Sequence, residues 1–297
     1  MSRFRQETPQ KGPREDSGTE ALARFLERHR RLFVLTGAGC STASGIPDYR
    51  DPAGEWKHAR PVQYADFMAR HSVRQRYWAR SMLGWPRMAA ARPNAAHRAL
   101  TDLQARGRLE RLVTQNVDGL HQKAGTKDVI DLHGRIDAVV CMACRVELRR
   151  ADWQAEVAAL NPDWERHIGA ASDRPDGDVE IADADYADYA GFVVPPCPRC
   201  GGVVKPHVVF FGEAVPPRRV ADARAALGRA DALLVVGSSL MVFSGFRFAR
   251  YAAEAGKAVA IVNRGRTRAD ELAGLRVDAD CGEVLSEALQ NSCAAAH

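Results

Sequence analysis

Two Cys-x-x-Cys motifs, Cys141/Cys144 and Cys197/Cys200, constrain this chain more than any other feature. A two-residue spacer sets two thiolates on one tight turn, and two such turns complete the tetrahedral Cys₄ set of a structural zinc ion. Four protein ligands leave no open coordination position. The ion is therefore expected to hold a small lobe together while the chemistry lies elsewhere. A dithiol redox pair calls for one such motif at a helix start, not two far apart. The second knuckle, Pro196-Cys197-Pro198-Arg199-Cys200-Gly201-Gly202, also carries glycines of the kind a tight metal turn demands.

Around the knuckles runs a different pattern. Short apolar runs ending in Gly, Ser, Asn or Asp recur at 32–35, 112–114, 129–132, 208–211, 233–236 and 259–262, each the length of a buried parallel strand. Helical patterns at 20–29, 95–106, 220–229 and 245–255 lie between several of them. This alternation predicts an α/β fold with right-handed crossovers and a doubly wound, Rossmann-like parallel sheet. In such a sheet ligands gather beyond the carboxyl ends of the strands, so the polar residues that follow the runs are expected to form one site. Two stretches break the alternation. Residues 48–94, rich in aromatic and basic side chains, read as a long loop followed by helices, including one at 73–83. Residues 137–204 hold both knuckles, a helix at 151–160 and an acidic segment at 173–188. That segment's Asp176, Asp178, Glu180, Asp183 and Asp185 lack the spacing and terminal glutamate of a calcium loop, so a solvated or partly ordered loop is expected there.

No apolar run approaches the ~18 residues of a membrane span. Residues 1–17, mixed in charge and nearly devoid of apolar side chains, read as a disordered tail and exclude a secretory signal. Three cysteines remain outside the knuckles, Cys40, Cys281 and Cys293, an odd set with no disulfide pattern, from which a reducing cytoplasm is expected. The net charge of +5 is uneven, with twelve acids against five arginines between Arg145 and Pro196. The basic remainder forms no dense stripe, so no specific nucleic-acid partner is expected.

The first apolar run leads into Thr36-Gly37-Ala38-Gly39-Cys40-Ser41-Thr42-Ala43-Ser44-Gly45-Ile46-Pro47-Asp48-Tyr49-Arg50. Gly37 and Gly39 let backbone N–H groups approach a phosphate at a helix start. Thr42 replaces the third glycine of the hydride-transfer fingerprint, and no acid stands at the second strand's end, so a conventional dehydrogenase fits poorly.

Together, Gly37 to Arg50, Thr114-Gln115-Asn116-Val117-Asp118-Gly119-Leu120-His121, Leu132-His133-Gly134, the four cysteines, Gly237-Ser238-Ser239-Leu240 and Asn263 resemble the sirtuin motifs, in the sirtuin order, across most of the chain. Arg76-Tyr77-Trp78-Ala79-Arg80, Asn161-Pro162-x-Trp164 and Pro175-Asp176-Gly177-Asp178 resemble the class II branch, which includes a mitochondrial lipoamidase and ADP-ribosyltransferase type. The resemblance implies an NAD-dependent protein-lysine deacylase or deacetylase. It consumes NAD, carries structural zinc and acts on acyl-lysine proteins or peptides, yielding nicotinamide, O-acyl-ADP-ribose and free lysine. Protein mono-ADP-ribosyl transfer and lipoamidase activity are the alternatives on the same scaffold, and a non-enzymatic zinc- or NAD-binding module is a third. A monomer is expected.

By the same resemblance, His133 is the base for the ribose hydroxyls, and Asn116 and Asp118 hold the nicotinamide carboxamide. Gln115 contacts ribose, with Val117 beside it in the same motif. Gly37, Ala38, Gly39 and Ser41 present the pyrophosphate loop, while Asp48, Tyr49 and Arg50 lie on the loop that closes over nicotinamide. Gly237, Ser238 and Ser239 bind phosphate and ribose. Asn263, with Arg264 and Gly265, takes the adenosine ribose, and Cys281 the adenine edge. Peptide is expected as a strand between 209–213, with Phe210, Phe211, Gly212 and Glu213, and 240–244, with Val242. Tyr77 and Arg80, one helical turn apart, are candidates to clamp an acidic acyl chain. The resulting division is a tail at 1–17, a Rossmann-like NAD-binding domain from 18–136 and 205–290 with the loop and helical insertion at 48–94, a zinc-binding domain at 137–204, and a tail at 291–297.

Overall fold

The structure, a computed structural model, describes residues 18–57, 61–164, 171–173, 175, 179–181 and 189–294. Its strands are β1 (Leu32–Thr36), β2 (Leu109–Thr114), β3 (Ile130–Asp131), β4 (Gly134–Cys141), β5 (Glu147–Arg149), β6 (Ala171–Asp173), β7 (Val179–Ile181), β8 (Val204–Val208), β9 (Ala232–Val236), β10 (Ala258–Val262) and β11 (Leu275–Val277). The helices are α1 (Gly18–Arg28), α2 (Tyr64–Ala69), α3 (His71–Ala90), α4 (Ala95–Ala105), α5 (Leu120–Lys123), α6 (Arg150–Leu160), α7 (Pro217–Arg229), α8 (Phe243–Glu254) and α9 (Cys281–Ala294).

Six strands form one parallel sheet in the order β11-β10-β9-β1-β2-β3. Counted by their own succession from the β3 edge, these strands run 3-2-1-4-5-6, the order of dinucleotide-binding sheets. Each apolar run feeds two cores because successive side chains point to opposite faces. Leu32 and Val34 of β1, Leu234 of β9 and Ala260 of β10 pack under α1, α4 and α9. Phe33 and Leu35, Leu233 and Val235, and Val259 and Ile261 pack under α7 and α8. A strand buried on both faces has no polar alternation to show, which is why these segments are continuously apolar. Every residue of β1 and β9 is buried, and each fully buried Val, Leu or Phe contributes roughly 1.5–3 kcal/mol of transfer free energy.

A second, three-stranded antiparallel sheet, β5-β4-β8, stands beside the first. The run at 208–211 was expected as a strand of the parallel sheet. Instead, Val208 ends β8, which pairs antiparallel with β4, and 209–211 leave as a loop. Two local features direct it there. Gly134, at φ +82°, brings β4 so close that a Cβ on it would lie 2.1 Å from the His207 carbonyl oxygen. Pro206 is tolerated because β8 is an edge strand of its sheet. The third apolar core joins Phe67 and Trp78 of α2 and α3 to Val139 of β4, Trp153 of α6 and Val204 of β8. Trp78 and Trp153 pack with ring centroids 5.3 Å apart and planes tilted by 54°.

Strand β11 and helix α9 were not anticipated from the sequence pattern. The antiparallel pair β6-β7, at 171–173 and 179–181, brackets the first part of the acidic segment. The remainder of that segment, most of the Pro175–Asp178 motif, residues 1–17 and residues 295–297 lie outside the described residues, whereas 291–294, expected as part of a tail, complete α9. Among the described residues no helix is long and apolar enough to cross a membrane.

Leu234 is fully buried in the central strand β9. Leu234→Ala should lower the unfolding free energy by about 2–5 kcal/mol, through lost transfer energy and a residual cavity. Urea titration with an unchanged slope and a shifted midpoint checks it; an unmoved midpoint would mean that the sheet core tolerates the void.

Candidate functional site

The order of the sheet reverses between β1 and β9, where Thr36 and Val236 are paired. The two loops that follow fold against each other. Gly39 N donates to Gly237 O at 2.9 Å, and Gly37 N to Val236 O at 3.1 Å. A side chain at Gly237, at φ +59°, would place its Cβ 2.2 Å from Cys40 N, and one at Gly37 would meet Ser238 Cβ at 2.7 Å. Only glycine permits this spacing. A cavity of about 520 Å³ opens above these loops and extends to the small sheet, within the size range of small-molecule sites.

The loop after β2 supplies the cavity's middle wall. Asn116 Nδ2 donates to Gly37 O and to Ser41 Oγ, both at 3.0 Å, so what it retains for a ligand is its carbonyl oxygen. Ser41 Oγ in turn donates to Asp118 Oδ2 at 2.7 Å, and Asp118 Oδ1 accepts from Leu120 N at 2.8 Å. Burial pushes the Asp118 carboxyl up, opposed by those two donors. Gln115 Nε2 reaches Ser238 Oγ at 2.8 Å, tying the β2 and β9 loops together.

His133 follows β3 and faces the same cavity. Its Nδ1 lies 3.0 Å from the Gln115 carbonyl oxygen and its Nε2 2.8 Å from Ser244 Oγ. A carbonyl only accepts, so Nδ1 carries the proton and Nε2 presents its lone pair. Burial, with Arg219 and Arg247 nearby, pushes the imidazole down to about 4, against the pull of the Gln115 carbonyl. The ring is therefore neutral at pH 7 and able to accept a proton at Nε2.

The outer walls are aromatic and charged. Arg50 donates to Gly54 O at 2.7 Å and stacks 4.1 Å over Trp56. Trp56 packs edge-on against Phe211 at 5.7 Å, and Asp48 is ion-paired with Lys57 at 2.5 Å. Residues 208–213 are stapled from below. Buried Lys205 donates to the carbonyls of Pro206 and Val208 and reaches Glu213 Oε2 at 3.1 Å, and the same oxygen takes the Phe210 N–H at 2.9 Å. Burial pushes the Lys205 ammonium down, and Glu213 pulls it back up.

Of the residues singled out in the sequence, most converge on this cavity. Gly37, Ala38, Gly39, Asp48, Tyr49, Arg50, Gln115, Asn116, Val117 and His133 line it, as do Phe210, Phe211, Gly212, Glu213, Gly237, Ser238, Ser239, Val242, Asn263, Arg264 and Tyr77. Others do not. Ser41 and Asp118 sit behind the wall, orienting Asn116 as described above. Cys281 is buried with its thiol toward Val262 O at 3.6 Å, and burial pushes that thiol up to about 12. Gly265 turns the chain against Pro52, whose carbonyl oxygen would lie 2.5 Å from an added Cβ. Tyr77 reaches the cavity between Phe67 and Phe210, at 5.5 and 5.3 Å, but Arg80, one turn further along α3, is buried away from it. Trp56, Arg247 and Arg266 also line the cavity and were not among the expected site residues. Single aromatics and arginines on loops carry no spacing signal. Ser244, which holds His133, appeared only as the end of a loop.

The four cysteines converge as the knuckles require. Cys141 ends β4, and Cys200 precedes β8, so the antiparallel pair Cys141–Val204 closes the lobe's base. The sulfurs of Cys141 and Cys200 are 3.5 Å apart, those of Cys144 and Cys197 3.8 Å, and all four lie within 4.8 Å of one another. Tetrahedral Zn–S bonds of about 2.3 Å imply S···S edges of about 3.8 Å, so the set fits zinc. Cys197→Ala should release the metal and destabilise the small lobe. Metal stoichiometry by mass spectrometry checks this, and one retained equivalent would overturn the ligand set.

Comparison with known proteins agrees with this geometry. Residues 37–244 match the model of the Sir2 family. An NAD-dependent protein deacetylase from Xanthomonas campestris pv. campestris (strain 8004) is 58% identical over 266 residues, covering 90% of this chain and 89% of the relative. One of the same description from Bordetella bronchiseptica is 57% identical over 272 residues, covering 91% and 97%. Among solved structures, a Sir2 bound to acetylated peptide superposes with a TM-score of 0.73 at 28% identity, covering 93% of this chain and 98% of that one. A Sir2 with a p53 peptide and NAD+ gives 0.72 at 29% identity, covering 93% and 99%. With the matched segment spanning most of the chain and relatives this similar over nine-tenths of it, the protein belongs to the Sir2 family.

Proposed function

We propose that this protein is an NAD-dependent protein-lysine deacetylase, with capacity for other acyl groups. The reading is carried by one observation: a neutral imidazole, His133, presents Nε2 to a cavity floored by the two glycine loops of the sheet's switch point. The names of the relatives and the peptide and NAD+ complexes of the structural neighbours support it. The overall reaction breaks the nicotinamide–ribose bond of NAD and the acyl-amide bond of lysine. With one water consumed, it leaves nicotinamide, O-acyl-ADP-ribose and free lysine.

The residues divide that work. The N–H groups of Gly37, Gly39 and Cys40 are used within the fold, so the Ala38 N–H, with Ser238 and Ser239, suits pyrophosphate and ribose oxygens. The Asn116 carbonyl oxygen, fixed by Ser41 and Asp118, suits the carboxamide N–H of nicotinamide. His133 Nε2 takes the ribose hydroxyl proton, and the Nδ1–H···O bond to Gln115 steadies the resulting imidazolium. The peptide is held between 209–213 and 240–244 by backbone pairing, which is largely blind to side chains. The acyl group lies among Phe210, Tyr77 and Val208, an apolar arm without Arg80, which favours uncharged acyl chains over acidic ones. The motifs at Arg76–Arg80 and Asn161–Trp164 support the class II branch, and the pair of buried cysteines outside the knuckles, Cys40 and Cys281, supports a reducing cytoplasm.

Incubation with NAD and a panel of acetyl-, propionyl-, succinyl- and lipoyl-lysine peptides tests this, following O-acyl-ADP-ribose and labelled protein. Acyl transfer with no labelled protein is the expected result; labelled protein alone would replace deacylation by mono-ADP-ribosyl transfer. His133→Ala should lose about 10²–10⁴-fold in turnover while keeping its zinc, and substantial residual turnover would refute the assigned base. The pH profile is a separate test. Because burial lowers the imidazole's pKa, the base form persists below the ordinary value, and protonation removes it only as pH falls through about 4. On kcat/KM the limb assigned to His133 should therefore lie near 4; a histidine limb near 6.5, absent from the His133→Ala residual rate, would contradict that environment.

A further inference from the structure

Behind the glycine loop, outside the cavity, three side chains converge that the proposed chemistry does not use. They are Cys40, His97 of α4 and His121 of α5, with relative exposures of 1%, 0% and 1%. The cysteine sulfur and one nitrogen of each ring all lie within 4.8 Å of one another. The two rings sit 4.7 Å apart, centroid to centroid.

Each imidazole is gripped from its far side. His97 Nδ1 lies 3.0 Å from Asn94 Oδ1, an oxygen whose identity is fixed because Asn94 Nδ2 donates to Cys40 O and Ser44 Oγ. His121 Nε2 lies 2.9 Å from Thr36 Oγ1, whose own hydroxyl proton goes to Thr114 Oγ1 at 2.8 Å. The Thr36 contact calls for the ring N–H at His121 Nε2, whereas His97 Nδ1 faces both Asn94 Oδ1 and, at 3.3 Å, the Asn94 backbone N–H, so either tautomer of His97 satisfies its gripped side. His121 Nδ1 then carries a lone pair, and neither it nor His97 Nε2 has a hydrogen-bond partner. Buried polar atoms are rarely left so. Ring orientation fixed by a bond from the opposite nitrogen is how metal-binding histidines are held.

We propose that Cys40, His97 and His121 form a second metal site, separate from the Cys₄ set, for a thiophilic d¹⁰ cation. One thiolate and two imidazoles are the soft and borderline donors such ions select. Three ligands of net charge −1 suit three-coordinate Cu+, which leaves the buried cluster neutral. Zn2+ needs a fourth donor and leaves one positive charge, which Asp118 and Asp280, both within electrostatic reach of Cys40, offset. Binding replaces the Cys40 S–H bond by a sulfur–metal bond, and the proton goes to solvent. The ion would brace the glycine loop from behind, because Cys40 N donates to Gly37 O at 2.9 Å.

The test uses the full chain carrying one zinc, titrated without oxygen with Cu+ in one arm and with further Zn2+ in the other. Native mass spectrometry counts the ions, and ¹⁵N spectra of labelled histidines report the rings. One added equivalent is expected in at least one arm, with the first zinc retained and the His97 and His121 ring nitrogens shifted. The added equivalent should disappear in Cys40→Ser and in His121→Gln. No added ion in either arm overturns the site. So does an added ion that survives both substitutions, or that displaces the zinc. Should a variant fail to fold, the wild-type spectra decide alone: unshifted His97 and His121 nitrogens at full loading reject the proposal.

Discussion

The close approach of two glycine loops at the sheet's switch point is the constraint on which the rest of the site depends. Paired strands β1 and β9 deliver Gly37 and Gly237 side by side, and the absence of side chains lets Gly39 bond directly to Gly237 O. That contact fixes the floor of the cavity and holds Gly37 O where Asn116 can reach it. Asn116, Ser41 and Asp118 then form a chain in which each group has one role: a carboxylate that accepts, a hydroxyl that passes the orientation on, and an amide whose donors are used up. The chemistry of the cavity is thus decided one layer behind its surface.

The same layering explains the state of His133. A solvated imidazole would exchange tautomers and titrate near 6.5. Here the Gln115 carbonyl selects the Nδ1–H form, and burial beside Arg219 and Arg247 makes a second proton costly. The two influences act on different quantities. The hydrogen bond determines which nitrogen is basic, and the burial determines over what pH range it stays so. Gln115 does both jobs of a spacer: its backbone orients His133 while its side chain reaches Ser238 across the switch point.

How much of this was legible in the sequence follows from how local each signal is. The central strands declared themselves because burial on both faces leaves uninterrupted apolar runs, and the knuckles because ligand spacing is a covalent fact. Helix α4 was visible from its own periodicity, although Asn94, which caps it and also binds the cofactor loop, was not. Strand β11 escaped because three residues, one of them the exposed Arg276, make no run. The strand expected at 208–211 was displaced because its apolar residues serve the small lobe and the cavity wall, a tertiary preference that periodicity cannot express. Arg80 shows the same limit. An i, i+3 pair shares a helix face, yet a cavity edge can fall between the two side chains. Ser244 was invisible in principle, since only the fold brings it 2.8 Å from a histidine 111 positions away.

The small lobe is coupled to the cavity through one continuous packing path rather than through a hinge. Zinc ligands close the base of β4 and β8; Val139 and Val204 of those strands pack with Trp78 and Trp153; and Phe67, Tyr77 and Phe210 carry that core to the cavity wall. Phe210 is held at the other end by Glu213 and, through it, by Lys205 inside β8. A structural metal with no open coordination position therefore has a bearing on the reaction without touching it. It fixes the register of β8 against β4, and β8 leads directly into the loop that the acyl chain and the peptide must meet. Because interiors packed at this density shift as units rather than deform continuously, loosening the knuckles should be felt at Phe210 and, through the 2.7 Å bond from Val209 N to the His133 carbonyl, at the backbone of His133, while its ring stays held by Gln115 and Ser244.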